Sequence, residues 1–257
     1  MWYPGRTIWK LSGTILMLFL ATGSYAQKKI DLGLKGGVSI PNLTGGNTEN
    51  PISTGYGSRL DFDGAIHVEF YLNDHFSLQP QLEYSSQGGQ KDGWQAFAMP
   101  ENLLPYFPPG HVPVYLYADY KSEARINYLM LPLLAKYYFN SRPRYSVYLA
   151  VGPFASVLLN AKDITRGSSA IYLDPQHTQP LVTEAQSFNH TEIVTNDLHR
   201  FNVGISGHVG IRYRVDGGSL FIEGGGNYGL IDIQKNSVNG KNKTGAATIL
   251  VGYQFSL

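Results

Sequence analysis

From Ile30 to Leu257 apolar and polar positions alternate with period two, the spacing that sends successive side chains of a strand to opposite faces. In the last segment Ala247, Ile249, Val251, Tyr253, Phe255 and Leu257 share one face, against Thr248, Gly252, Gln254 and Ser256 on the other, with Leu250 the exception. Phe201–Val215 repeats the pattern, with Phe201, Val203, Ile205, Val209, Ile211, Tyr213 and Val215 opposed to Asn202, Gly204, Ser206, His208, Gly210, Arg212 and Arg214. Similar stretches begin at Ile30, Ala65, Phe76, Arg125, Tyr145 and Leu220; Arg125–Phe139 is the weakest because both its faces are apolar. The alternation predicts eight strands, most of them far longer than the five or six residues usual in globular sheets. Long strands with clean alternation are the mark of a membrane-spanning barrel.

The connections alternate as well. Asn73-Asp74-His75, Asn140–Arg144 (with Pro143) and Asp216-Gly217-Gly218 are short and built from turn-forming residues. The connections over 41–60, 87–120, 161–197 and 231–245 are long and rich in Gly, Pro, Asn and Ser. All tight turns then sit at one end of an up-and-down meander. The predicted fold is an all-β, eight-stranded antiparallel transmembrane β-barrel with short periplasmic turns and four long extracellular loops. A soluble barrel or sandwich is the competing architecture. The aromatics Phe70, Phe76, Tyr137, Phe139, Tyr145 and Tyr213 gather beside the tight turns, as an interfacial girdle would.

Residues 1–26 read as a secretory signal peptide, which leaves 27–257 as the barrel domain. Arg6 and Lys10 precede the apolar run Leu11–Ala21, and Ser24-Tyr25-Ala26 offers a small-residue cleavage site. That run is too short to cross a hydrocarbon core as a helix. The segment holds two basic and no acidic residues, so cleavage takes the formal charge from +1 to −1. The absence of cysteine excludes disulfides, thiolate zinc sites and a cysteine nucleophile. With no basic cluster, nucleic acid is not an expected partner.

By phase, Lys35, Glu69, Glu83, Lys136, Arg212 and Glu223 point into the lumen. Charges in so narrow an interior are expected to pair. With Gly217-Gly218 as the hairpin loop, Arg212 is expected directly opposite Glu223. The network is read as structural filling, with a gated polar pathway as the alternative. No histidine pair has metal-motif spacing and no G-x-S-x-G elbow is present, so neither catalytic residues, metal nor cofactor is expected. Within 87–120, Trp94, Phe97, Tyr106, Phe107 and Tyr115 make a loop too apolar for idle solvation. It is either a self-packed lid or a surface for a protein or apolar partner.

The stretches Leu32–Gly37, Phe76–Tyr84, Asn127–Lys136, Tyr148–Phe154 and Val251–Phe255 resemble the outer-membrane β-barrel domain family of Bacteroidota, the PorT-like or porin family. The chain's last residue is Leu257, with Phe255 two positions before it, where barrels of this kind usually end in an aromatic. The resemblance implies an outer-membrane location in a Gram-negative cell after signal-directed export, contact with outer-membrane lipid, and insertion by the barrel assembly machinery. The expected function is non-enzymatic, structural or binding through the external loops, with a protein partner there. A narrow porin-like channel for small solutes is the alternative, and a secretion-associated component or lipid-modifying enzyme comes after it.

Overall fold

The computed structural model describes residues 29–45, 50–140, 144–236 and 240–257. The expected signal segment and Pro143 lie outside the described residues. Among the described residues thirteen strands run in order: β1 Ile30–Thr44, β2 Asp61–Tyr71, β3 Phe76–Lys91, β4 Trp94–Ala98, β5 Tyr115–Asp119, β6 Lys121–Tyr138, β7 Tyr145–Arg166, β8 Ser168–Tyr172, β9 Pro180–Ser187, β10 His190–Ile193, β11 Phe201–Val215, β12 Gly218–Gly229 and β13 Lys243–Ser256.

Eight of these close on themselves. The order β7-β11-β12-β13-β1-β2-β3-β6 is completed by antiparallel pairing of β6 with β7, and β10 adds to the far end of β7. Closure leaves no barrel strand with an unpaired edge, which lipid would not tolerate. The phase is the one the alternation predicts. Val209, Ile211, Ile249 and Val251 are 54%, 52%, 56% and 58% exposed. Their neighbours His208, Arg212, Thr248 and Leu250 are buried. The apolar stripe therefore faces outward, to be covered by acyl chains, and the polar stripe encloses the centre. Phe76 and Tyr137 (ring centroids 4.9 Å apart), Tyr145 and Tyr213 (4.9 Å), and Tyr253 and Phe255 (4.6 Å) form aromatic pairs at the tight-turn end.

Two sequence expectations are corrected. The β11–β12 hairpin turns on Asp216-Gly217, because Gly217 holds the left-handed φ of +79° while Gly218 already pairs with Val215. The register moves accordingly: Arg212 lies opposite Phe221, and Glu223 lies opposite Gly210. Arg212 and Glu223 are thus not cross-strand neighbours. The connections 87–120 and 161–197 are also not simple loops. They carry β4, β5, β8 and β9, which form a separate four-stranded sheet. β6 and β7 run for 18 and 22 residues, well past what a bilayer needs, and support that sheet.

A β-bulge beside Asn127 and Tyr128 marks where β7 leaves the membrane belt: Asn127 faces Asn160, but Tyr128 faces Leu158. The extra residue, Leu159, shifts the phase by one. Beyond it Ala161 is buried and Asp163 half-buried, so the inward face continues on odd-numbered residues.

Candidate functional site

The lumen has two zones. In the half beside the tight turns, Lys35 Nζ on β1 donates to Glu223 Oε1 on β12 at 2.5 Å, and the Tyr148 hydroxyl donates to Glu223 Oε2 at 2.7 Å. Glu69 on β2 accepts from Lys136 Nζ at 3.0 Å, the Tyr138 hydroxyl at 2.6 Å, Gln254 Nε2 at 2.8 Å and the Ser77 hydroxyl. Arg212 donates to the hydroxyls of Tyr71 at 2.5 Å and Tyr138 at 3.1 Å, with its guanidinium 4.1 Å from the Tyr138 ring centroid. Tyr71 in turn donates to Asp31 Oδ2 at 2.9 Å. Glu83 accepts from Gln81 Nε2 at 2.5 Å.

All six lumen charges picked out by phase are therefore buried, and most are joined in one network. Lys35 meets Glu223, and Lys136 meets Glu69. Arg212 reaches Glu69 indirectly, through Tyr138 and through Tyr71 and Gln254, and Glu83 has no cation within ion-pair distance among the described residues. The phenols of Tyr71, Tyr138 and Tyr148 were not singled out from the sequence as members. Their signal was present, since each lies on the inward phase with Glu69, Lys136 or Ser146 two residues away. Buried charges persist only when paired and hydrogen-bonded, and here the tyrosines supply donors that the narrow lumen has no room to take from water.

The outer half of the lumen is mixed: Gln87 donates to Asn227 Oδ1 at 3.0 Å and Asn202 to the Thr244 hydroxyl at 3.1 Å, beside an apolar cluster carried by β6 and β7. Ile126, Tyr128, Met130, Phe154 and Leu158 form a buried cluster closed from above by Leu43, Leu198 and Ile233. Leu198 and Ile233 come from the long connections, pinned by the bridge between Leu198 and Gln234 and by the Ile233 N–H donating to the Asn242 carbonyl at 2.8 Å.

Above this septum, beneath the four-stranded sheet, lies a cavity of about 390 Å³. Its floor includes Leu43, Ile126 and Ile233, and its roof includes Phe97, Tyr120 and Phe188. Tyr120 and Phe188 stack at 4.6 Å, and Phe97 meets Phe188 edge-on at 5.6 Å. Lys91 and Asp163 line the wall. Both lie past the outward apolar ladder, which ends at Tyr84 on β3 and Leu159 on β7, so they stand outside the membrane. Lys91 Nζ donates to the Ile52 carbonyl at 2.5 Å and sits 4.5 Å from the Tyr56 ring centroid. Burial brings its ammonium down to about 8. The Ser122 hydroxyl donates to Asp163 Oδ1 at 3.0 Å, while burial raises the Asp163 carboxyl. Burial also raises the phenols of Tyr56 and Tyr120, which stay neutral.

The five loop aromatics differ in their surroundings. Phe97 turns into the cavity. Trp94 stacks on His177 at 3.6 Å and meets the Tyr172 edge at 5.5 Å. Tyr115 is half-buried opposite Ala98 in the β4–β5 pairing, Phe107 is half-buried, and Tyr106 is 81% exposed. The cavity had no counterpart in the sequence reading. It needs the β7 bulge, the loop sheet and two distant connections, none of which leaves a periodic trace. Among the described residues no group of His, Asp and Glu could hold a metal ion.

Residues 25–235 match the model of a family described as the outer membrane protein beta-barrel domain. No curated protein matches the chain. Among solved structures, the chain is similar to Ail, the attachment invasion locus protein of Yersinia pestis, at 11% identity, covering 88% of this chain and 99% of that one with a TM-score of 0.38. It is similar to Neisserial surface protein A at 12% identity, covering 87% and 96%, with a TM-score of 0.36. It is also similar to the outer membrane protease OmpT of Escherichia coli at 11% identity, covering 91% and 98%, with a TM-score of 0.45.

Proposed function

Because the chain belongs to the outer membrane protein β-barrel domain family, we propose that it is a non-enzymatic binding barrel, closed along its axis and acting through its external loops. It reaches the outer membrane by signal-directed export and is inserted by the barrel assembly machinery. Its place within the family is with the PorT-like proteins of Bacteroidota, on the resemblance of the stretches around Phe76–Tyr84 and Asn127–Lys136. Its partners are outer-membrane lipid around the belt and a ligand or protein at the outer mouth, with no nucleic acid and no cofactor.

The observation that carries this reading is the double closure of the lumen. The Lys35–Glu223 and Lys136–Glu69 pairs fill the periplasmic half, and the cluster around Ile126, Met130 and Phe154, with the Gln87–Asn227 and Asn202–Thr244 hydrogen bonds, fills the outer half. A solute path would have to break a buried ionic network and then a plug of apolar side chains and buried amide hydrogen bonds. The polypeptide invested outside the barrel, by contrast, is an ordered sheet rather than loose loops.

The natural chain has no cysteine, so introduced thiols report position cleanly. Tyr106→Cys is expected to react with a membrane-impermeant maleimide on intact cells, and Asp216→Cys only after the outer membrane is permeabilised. Labelling of Asp216→Cys on intact cells, with Tyr106→Cys protected, would reverse the orientation and remove the external loops from the account.

A further inference from the structure

The outer cavity combines three properties that together select a ligand class. Its volume, about 390 Å³, lies at the small end of the range of ligand pockets. Its roof offers the rings of Phe97, Tyr120 and Phe188, arranged edge and face so that a planar apolar body can join them. Its wall carries one buried cation, Lys91, whose partners are the carbonyls of Ile52 and Pro51 and the face of Tyr56. Among the described residues no carboxylate lies within ion-pair distance of it. A buried ammonium whose hydrogen-bond acceptors are all neutral carbonyls gains a charge-assisted hydrogen bond when a ligand anion arrives.

Other charges face the same space. Asp163, held by Ser122, acts on Lys91 through space, so an incoming anion must share the ammonium's field with it. Lys162, Glu192 and Asp197 line the rim and are exposed to solvent, where water screens them.

We propose that this cavity binds a small monocarboxylate with an aromatic body, its carboxylate on Lys91 and its ring against Phe97 and Phe188. The inference rests on the reading of the chain as a barrel that binds at its outer mouth, and it names the chemistry of that site.

The probe is 4-fluorophenylacetate, observed by fluorine NMR with the full barrel in lipid nanodiscs, against 4-fluorophenylacetamide as the neutral isostere. The acid is expected to bind about tenfold or more tightly than the amide, the difference one charge-assisted bond makes. Lys91→Met should remove that preference. Ala124→Phe, which grows a ring from the barrel wall into the cavity, should abolish binding of both. Equal affinity of wild type for acid and amide, binding that survives Ala124→Phe, or no binding at all would each overturn the proposal. If Ala124→Phe does not assemble, Lys91→Met decides alone. Equal binding that Ala124→Phe abolishes would leave the outer-mouth reading standing while rejecting the carboxylate. That reading is tested separately, by thiol labelling of the loops.

Discussion

Lys35 and Glu223 meet at 2.5 Å although they lie 188 residues apart on β1 and β12, strands that do not pair with each other. The contact reaches across the intervening β13, so it forms only when that strand has closed the barrel. Truncating one partner leaves a buried charge without its mate, at a cost of about 3–5 kcal/mol. Lys35→Met and Glu223→Gln should each lower the unfolding free energy of the barrel, read from urea titration in lipid vesicles, by that order. The double variant Lys35→Met/Glu223→Met should recover most of the loss, because replacing a buried pair by apolar groups is often neutral. Additive losses in the double variant would show that the two groups do not depend on each other.

The glycines of β12 make a sharper steric prediction. A side chain at Gly225 would run into the Gly207 carbonyl and His208 on β11, whereas the nearest atom to a side chain at Gly224 is the Thr248 carbonyl oxygen at 4.0 Å. Gly225→Val is expected to cut the fraction of chain that migrates as a folded, heat-modifiable barrel, with overpacking worth about 1–3 kcal/mol or more. Gly224→Val should assemble like the wild type. Equal behaviour of the two variants would contradict the assigned phase of β12.

The lipid face can be graded by depth. Ile249 lies midway along β13 on the exposed stripe, and Val215 sits at the end of β11 beside the tight turn. Ile249→Arg should cost about 2–4 kcal/mol and Val215→Arg about 0–1 kcal/mol, measured by reversible unfolding in vesicles. A tolerated Ile249→Arg would mean that this stripe does not meet acyl chains.

The barrel itself was legible from the sequence because a two-residue period survives over each long strand: Ile249, Val251, Ile211 and Val209 point where the alternation sends them. The inward placement of Lys35, Glu69, Glu83, Lys136, Arg212 and Glu223 follows from the same period. Which of them touch was not legible. Phase fixes a face but not a register, and shifting the hairpin loop by one residue, to Asp216-Gly217, moved Glu223 away from Arg212 and left it with Lys35. The bulge at Leu159 is a second local event invisible to periodicity, and it turns Asp163 inward. The external sheet was missed because β4, β5 and β8 have only 5 residues each, too few for alternation to stand out among the prolines and glycines around them.

Planar-bilayer recording of the purified barrel tests the closed lumen most directly. With the Lys35–Glu223 and Lys136–Glu69 pairs below and the Ile126–Met130–Phe154 cluster above, the wild type should insert without stable conductance steps at either polarity. Reproducible steps from the wild type that change in size on Glu223→Gln would contradict this, because the ions would then be travelling past the very residues assigned to fill the interior.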